Sequence, residues 1–149
     1  MFQARMDSTS AQALAERTRE ALWRDDFASQ AMGMTFLDLR PGYAKLAMTV
    51  RRDMLNGFGM CHGGMLTTFA DTALAFASNS HNEIAVAVNL SIDFPAPARL
   101  DDQLTAEARE VTRTKRTGVY DVTITNQRGA VIALLRGRVQ RMPGKPVAT

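Results

Sequence analysis

A long, almost uncharged run in the middle of the chain constrains the fold more than any other feature. It extends over Asn56–Ser80 and reads NGFGMCHGGMLTTFADTALAFASNS. Asp71 is the only formally charged residue between Asp53 and Glu83, although 22% of the whole chain is charged. A helix that faces solvent normally carries several charges on its outer side. This segment is therefore expected to lie inside the protein or against another protein surface.

The run predicts a helix of about 15 residues behind an opening loop of glycines, from Gly63 or Gly64 to about Ser78. Its apolar residues recur at helical spacing and form one stripe, which a concave sheet would cover: Met65, Leu66, Phe69, Ala70, Ala73, Leu74 and Ala77. The opposite face carries Asp71 among small and hydroxyl side chains: Thr67, Thr68, Thr72, Ala75 and Ser78. Such a face favours contact with protein, most simply a second copy of the same helix.

Strand patterns lie on both sides of this helix in the chain. Before it, residues 33–50 alternate between apolar and polar about Pro41-Gly42, which indicates a two-stranded hairpin. After it come four strand-like runs: Ile84–Phe94, Gln103–Val111, Gly118–Thr125 and a last run that begins at Ala130. An amphipathic helix over Ser10–Arg24, with Ser10 as its N-cap, comes first. This order predicts an α+β domain in which a curved antiparallel sheet wraps around the long helix.

Length and composition predict one domain over residues 1–149, with an N-terminal helix and extension in residues 1–25 and a loose tail in residues 143–149. The composition is that of a soluble protein, and no apolar run reaches the roughly 20 residues of a membrane span. The single Cys61 cannot form an internal disulfide. Because the N-terminus also lacks the layout of a secretory signal, we expect the protein in the cytoplasm.

The charge pattern favours a small anionic ligand over nucleic acid. The net charge is +3, but no basic helix or aromatic-interleaved motif is present to follow a phosphate backbone. One denser basic patch occurs at Arg113, Lys115 and Arg116, between two predicted strands. This patch is interpreted either as a solvated turn or as a binding site for phosphate groups.

Asp71 and the glycines at the helix start have complementary chemistry. A helix start offers unpaired N–H groups that suit a developing oxyanion, whereas a carboxylate that loses hydration favours its protonated form unless it is paired. Gly63 lies eight residues before Asp71, or about 12 Å along the helix axis, so Asp71 cannot serve its own helix start. A common site would be shared between two subunits. The alternative is a structural Asp71 that neighbouring hydroxyls hydrogen-bond.

These residues resemble a known pattern. Asn56, His62-Gly63-Gly64 and the sequence FADTA at 69–73 are similar to the hot-dog-fold thioesterases, most closely their phenylacetate-degradation (PaaI-like) branch. The likeness is strongest over Leu55–Leu100. It implies a single hot-dog domain, homodimers that join their sheets, and dimers that pair into homotetramers. It also implies hydrolysis of an acyl- or aryl-CoA thioester to the acid and CoA. No cofactor is implied, because coenzyme A is part of the substrate.

The resemblance implies roles for residues at matching positions. Asp71 would be the nucleophile or the general base, acting on a thioester bound at the other subunit, and both mechanisms remain open. Gly63 or Gly64 would donate the backbone N–H that polarises the thioester carbonyl. Asn56 and His62 would orient the water or the substrate.

Other residues are assigned to substrate binding or are excluded from catalysis. Some relatives hold the attacking water with a serine or threonine where this chain has Ala87, which leaves that role open, with Asn89 nearby as a substrate contact. Phe58 and Met60 are interpreted as lining an acyl or aryl pocket, together with Met54. Arg113, Lys115 and Arg116 would bind the CoA phosphates. No metal site is expected, and Cys61 beside His62 is disfavoured as a nucleophile because no third group orients the pair.

Two alternatives come from other functional classes. A hot-dog hydratase or dehydratase would need a catalytic histidine that faces an acid. A non-catalytic acyl-CoA-binding or regulatory domain would keep the fold and the basic patch without needing Asp71. The arrangement of His62 and Asp71 in the sequence favours the thioesterase.

Overall fold

A computed structural model describes the backbone of residues 2–149 and the side chains of residues 10–149. The helices are α1 (Phe2–Trp23), α2 (Phe27–Ala31) and α3 (Gly63–Asn79), with one 3-10 turn at Arg52–Met54. The strands are β1 (Thr35–Arg40), β2 (Tyr43–Thr49), β3 (Ala85–Asp93), β4 (Gln103–Arg113), β5 (Thr117–Thr125) and β6 (Val131–Arg141). None of the helices described is long and apolar enough to cross a membrane.

The six strands form one antiparallel sheet in the order β1-β2-β4-β5-β6-β3. All six contact α3, so the sheet wraps around that helix as expected. Strands β4, β5 and β6 form the predicted meander, because short turns join runs of alternating burial. The core lies between α3 and the inner face of the sheet, where Phe69, Leu74 and Tyr120 are among the large side chains that are completely buried. The predicted α+β architecture is confirmed.

The N-terminal end of the chain differs from the prediction. Helix α1 begins at Phe2, so the prediction of Ser10 as its N-cap is wrong. The physical reason is that residues 2–9 contain no glycine or proline that would stop a helix. In the C-terminal tail, Asn82 Oδ1 accepts hydrogen bonds from the backbone N–H groups of Val147 and Ala148.

The uncharged face of α3 is covered in part by its own chain. The short helix α2, which the sequence did not predict, brings the Ser29 hydroxyl to 2.9 Å from that of Thr72. Farther along α3, Phe76 packs against Trp23 of α1 and Phe36 of β1. These contacts explain part of that face without a second copy of the helix. Asp71, beside Thr72, is only half-buried.

Candidate active site

Asn56 shapes the loop that precedes α3. Its side-chain Oδ1 accepts hydrogen bonds from the backbone N–H groups of Phe58 and Met60, at 2.9 and 3.2 Å. The Asn56 N–H donates to the Met60 carbonyl, and a β-bridge joins Leu55 to Cys61. Together these contacts hold the residues between Leu55 and Cys61 in a tight loop around the Asn56 side chain. The acceptor oxygen of Asn56 is therefore used for folding, whereas its side-chain N–H groups have no partner among the described residues.

His62 is the N-cap of α3. Its Nδ1 accepts a hydrogen bond from the Gly64 N–H at 2.9 Å, so the neutral ring carries its proton on Nε2. The N–H groups of Met65 and Leu66 donate to the His62 carbonyl. The Gly63 N–H has no hydrogen-bond partner among the described residues. Of the two predicted oxyanion donors, Gly63 is therefore the one that remains available at the positive end of the helix.

Gly63 lines a cavity of about 310 Å³. Its walls are mostly apolar and come from the loop, the start of α3 and the segment after β3: Asn56, Met60, Cys61, Gly63, Leu66, Phe94, Pro95, Ala96, Pro97 and Ala98. The Phe94 ring lies so close to Gly63 that a Cβ at that position would be 3.3 Å from its Cζ. An apolar pocket with one free amide suits a carbonyl that carries an apolar substituent.

Asp71 carries the carboxylate of the candidate site. Burial raises its pKa, and the negative charge of Asp26 raises it further. Within the described part of the chain, no hydrogen bond or ion pair reaches the Asp71 side chain. The hydroxyls of Thr67, Thr68 and Thr72 donate instead to backbone carbonyls one turn earlier in α3. The alternative in which neighbouring hydroxyls hold Asp71 therefore lacks its contacts.

The cavity contains only part of the predicted site. Asn56, Met60 and Gly63 line it, whereas Asp71 lies two turns farther along α3 and outside it. Phe58 is 83% exposed on the loop and lies outside the cavity lining. Asn89 is exposed at a β-bulge on β3.

The basic patch lies in the β4–β5 turn, beyond the C-terminal end of α3. Arg113 is 4.0 Å from the Glu83 carboxylate, which also accepts a hydrogen bond from Arg141 at 2.9 Å. Lys115 and Arg116 are exposed. Because α3 has 17 residues and is therefore about 25 Å long, this patch is remote from the Gly63 cavity of the same chain.

Several residues of the cavity were not identified from the sequence. Phe94 and the segment Pro95–Ala98 form one wall, and the signal that could have identified them is the pair of prolines directly after a strand. Met54 is almost completely buried in the core and does not line the cavity.

Cys61 lines the cavity as an apolar wall residue. Burial raises the pKa of its thiol to about 11, so it stays protonated and is a poor nucleophile. Among the described residues, no group of three or more His, Cys, Asp or Glu side chains is placed to hold a metal ion.

Residues 58–133 match the model of the thioesterase superfamily. The chain is 42% identical over 130 residues to the acyl-coenzyme A thioesterase PaaI of Escherichia coli, which covers 87% of this chain and 93% of that protein. It is 35% identical over 129 residues to a putative esterase of Archaeoglobus fulgidus, covering 87% and 84% of the two chains.

Solved structures agree with the sequence comparison. The structure of E. coli PaaI, from the phenylacetic acid degradation operon, superimposes with a TM-score of 0.88 at 40% identity and covers 90% of this chain and 97% of that one. A Streptococcus mutans protein bound to acetyl CoA has a TM-score of 0.73 at 27% identity, covering 75% and 90%. The α+β architecture is thus the expected hot-dog fold, and the chain belongs to the thioesterase superfamily.

Proposed function

We propose that this protein is an acyl-CoA thioesterase, which uses water to hydrolyse an acyl- or aryl-CoA thioester to a carboxylic acid and coenzyme A. The observation that carries the proposal concerns Gly63, which lines a mostly apolar cavity at the start of α3 and whose N–H has no hydrogen-bond partner among the described residues. Membership in the thioesterase superfamily and the similarity to PaaI support the same reaction. No cofactor is proposed, because Asp71 would supply the attack and coenzyme A is part of the substrate.

Gly63 would polarise the thioester. Its N–H lies at the N-terminus of a 17-residue helix, where the helix dipole and the unpaired amide both favour negative charge on an oxygen. The charge that develops on the carbonyl oxygen during attack would be stabilised there. The side-chain amide of Asn56 and the Nε2–H of His62 are donors near the same helix start and would orient the substrate or the water.

Asp71 would supply the attack. Its half-buried position raises its pKa, which makes the ionised carboxylate a stronger base than an exposed aspartate. It acts either as a general base on water or as a nucleophile on the thioester carbon. In either case it must be ionised, so activity is expected to fall as the pH drops through the raised pKa of Asp71.

The site is proposed to be shared between subunits. Gly63 and Asp71 are about 12 Å apart along one helix, too far to contact the same carbonyl group. An antiparallel partner helix would bring the partner's Gly63 to Asp71. The edge strand β3 supports assembly, because nine residues of open edge with exposed Val86 and Val88 form a surface suited to pairing with a second chain. A homodimer, and a dimer of such dimers, is the proposed state.

The CoA part of the substrate is proposed to contact the exposed basic patch. Lys115 and Arg116 are the candidates for the phosphates, since Arg113 already lies close to Glu83. Asn89 and Phe58, both exposed, would contact other parts of the substrate.

The first test measures thiol release from a panel of acyl- and aryl-CoA thioesters by the wild type, Asp71→Asn and Asp71→Ala. We expect turnover by the wild type and a loss of at least about a thousandfold in kcat for both variants. Activity that survives both substitutions would contradict the role of Asp71. An absence of turnover with every thioester would favour a binding domain.

Sharing of the site is tested by mixing two inactive variants. Subunits of Asp71→Ala and Gly63→Val would be unfolded together and refolded. A mixed dimer then contains one site with both groups intact, so the mixture should recover roughly a quarter of the wild-type activity if dimers form at random. A mixture as inactive as its components would exclude a site that combines Gly63 and Asp71 of different chains.

A further inference from the structure

The short helix α2 is fixed on α3 next to Asp71. The Thr72 hydroxyl donates to the Thr68 carbonyl at 2.8 Å, so in its 2.9 Å contact with Ser29 it accepts the hydrogen bond from the Ser29 hydroxyl. Ser29 and Thr72 are both buried, and a buried hydroxyl without its partner is costly. Since Thr72 directly follows Asp71, this bond holds α2 at the level of the proposed catalytic carboxylate.

Ser29 also fixes the position of Asp26, through a second hydrogen bond. Asp26 is the N-cap of α2, and its Oδ1 accepts a hydrogen bond from the backbone N–H of Ser29 at 3.2 Å. Ser29 thus bonds Asp26 through its backbone and Thr72 through its side chain. Burial raises the pKa of Asp71, and the negative charge of the Asp26 carboxylate at the start of α2 raises it further.

No cation offsets this charge within the described part of the chain. On α3 itself Asp71 is the only charged residue. From α1, Ala15 and Thr18 are buried, and the Arg19 guanidinium lies over the Phe36 ring, 5.3 Å from its centre. The inner face of the sheet presents apolar side chains and Tyr120, whose hydroxyl donates to Glu110. Asp26 is thus the charged group that acts on Asp71.

We propose that Asp26 is a positioning residue of the active site, which α2 holds beside Asp71 so that its charge sets the pH at which Asp71 becomes an active carboxylate. The inference rests on the proposed function, in which ionised Asp71 attacks or activates water. Two negative charges close together resist joint ionisation, so the second carboxylate keeps its proton to higher pH and is more basic once ionised. Asp26 itself does not touch the substrate.

Asp26→Asn separates the charge from the cap, because asparagine caps a helix about as well as aspartate does. We expect the acidic limb of the kcat/KM profile to move to lower pH, so that kcat/KM on that limb rises about threefold over the wild type. The melting temperature should not fall, because the cap is kept and only a repulsive charge is lost. Asp25→Asn is the matched control, because it removes the same formal charge from the adjacent, exposed side chain and should leave the limb in place.

Asp26→Ser provides a second variant, since serine keeps a capping oxygen without the charge, and it should shift the limb as Asp26→Asn does. A limb that coincides in the wild type and both Asp26 variants would overturn the inference, as would an equal shift in Asp25→Asn. Failure of the proposed function has a different signature: no thiol release by the wild type, or undiminished activity of Asp71→Asn.

Discussion

The glycine loop and the Asp71 face, two parts of the proposed site on one helix, differ in how far their own chain completes them. In the loop, Asn56 accepts two backbone hydrogen bonds and His62 caps the helix. At Asp71, the described residues provide no hydrogen bond to the carboxylate, and burial and Asp26 both disfavour its charge. One chain therefore forms the glycine loop, with its hydrogen-bond donors, by itself. The surroundings of the Asp71 carboxylate are left for a substrate or a second chain to complete.

The two parts of the proposed site would contribute to catalysis in different ways. The loop is preorganised, so its donors need little rearrangement when charge develops on a bound carbonyl. The Asp71 carboxylate is poorly solvated, so its ionisation lowers the stability of the folded protein. The same poor solvation makes the ionised carboxylate more reactive. Loop substitutions that remove a hydrogen-bond acceptor should therefore lower both stability and activity. Substitutions of Asp71 should lower activity without lowering stability at neutral pH.

Among substitutions in the glycine loop, Gly63→Val should have the largest effect on activity. A Cβ at Gly63 would already be 3.3 Å from the Phe94 ring, and the branched side chain of valine would fill the space in front of the amide. We expect kcat/KM to fall at least about a hundredfold, the scale of losing one oxyanion donor. Gly57→Ala is the control, because nothing lies within 4 Å of its Cβ position. Equal kinetics of the two variants would contradict the role of Gly63.

Asn56 allows folding and catalysis to be separated. Asn56→Ala removes the acceptor of two backbone N–H groups and should lower the free energy of unfolding by about 1–2 kcal/mol. Asn56→Asp keeps that acceptor and loses only the side-chain N–H donors. Chemical denaturation should therefore show near-normal stability for Asn56→Asp, while thioester assays show reduced kcat/KM for both. If both variants are equally destabilised, the loop does not depend on the Asn56 acceptor.

The sequence predicted α3 and the sheet well because their signals are local and repeated. The start of α3 at Gly63, the turn at Pro41-Gly42 and the meander after Gln103 all follow from patterns within a few residues. The short helix α2 was missed because a five-residue helix has almost no periodicity. Its position depends on the Ser29–Thr72 contact, between residues 43 positions apart.

The candidate site was predicted in part for the same reason. The glycine loop is contiguous, so its residues could be named together. The cavity wall at Phe94 depends on how β3 ends against the start of α3, and the charge beside Asp71 depends on where α2 packs. Neither contact has a periodic or local signal. The separation of Gly63 from Asp71 could be derived, because helix rise alone determines it.

His62 should have a smaller effect than Asn56. His62→Ala removes the N-cap acceptor of α3, which typically costs about 1 kcal/mol and corresponds to roughly 2–4 °C in Tm for a chain of this size. His62→Asn keeps an acceptor and should retain the Tm. Because both variants lose the Nε2–H donor, kcat/KM should fall by a similar factor in both. An equal loss of Tm in the two variants would mean that the capping bond is not what stabilises the helix start.

Asp71→Asn should have the smallest effect on stability, and its sign depends on pH. The folded-state pKa of Asp71 is raised, so ionisation disfavours the folded state above that pKa, and the penalty disappears below the unfolded value of about 4. At pH 7 the variant should therefore melt slightly higher than the wild type, and the two curves should converge below about pH 4. Asp53→Asn provides the opposite control, because Arg51 lowers the pKa of Asp53 and its loss should not stabilise the protein. A lower Tm of Asp71→Asn at pH 7 would mean that the assembled protein supplies Asp71 with a stabilising partner. The difference between the glycine loop, which its own chain completes, and Asp71, which its own chain does not, would then hold only for the isolated chain.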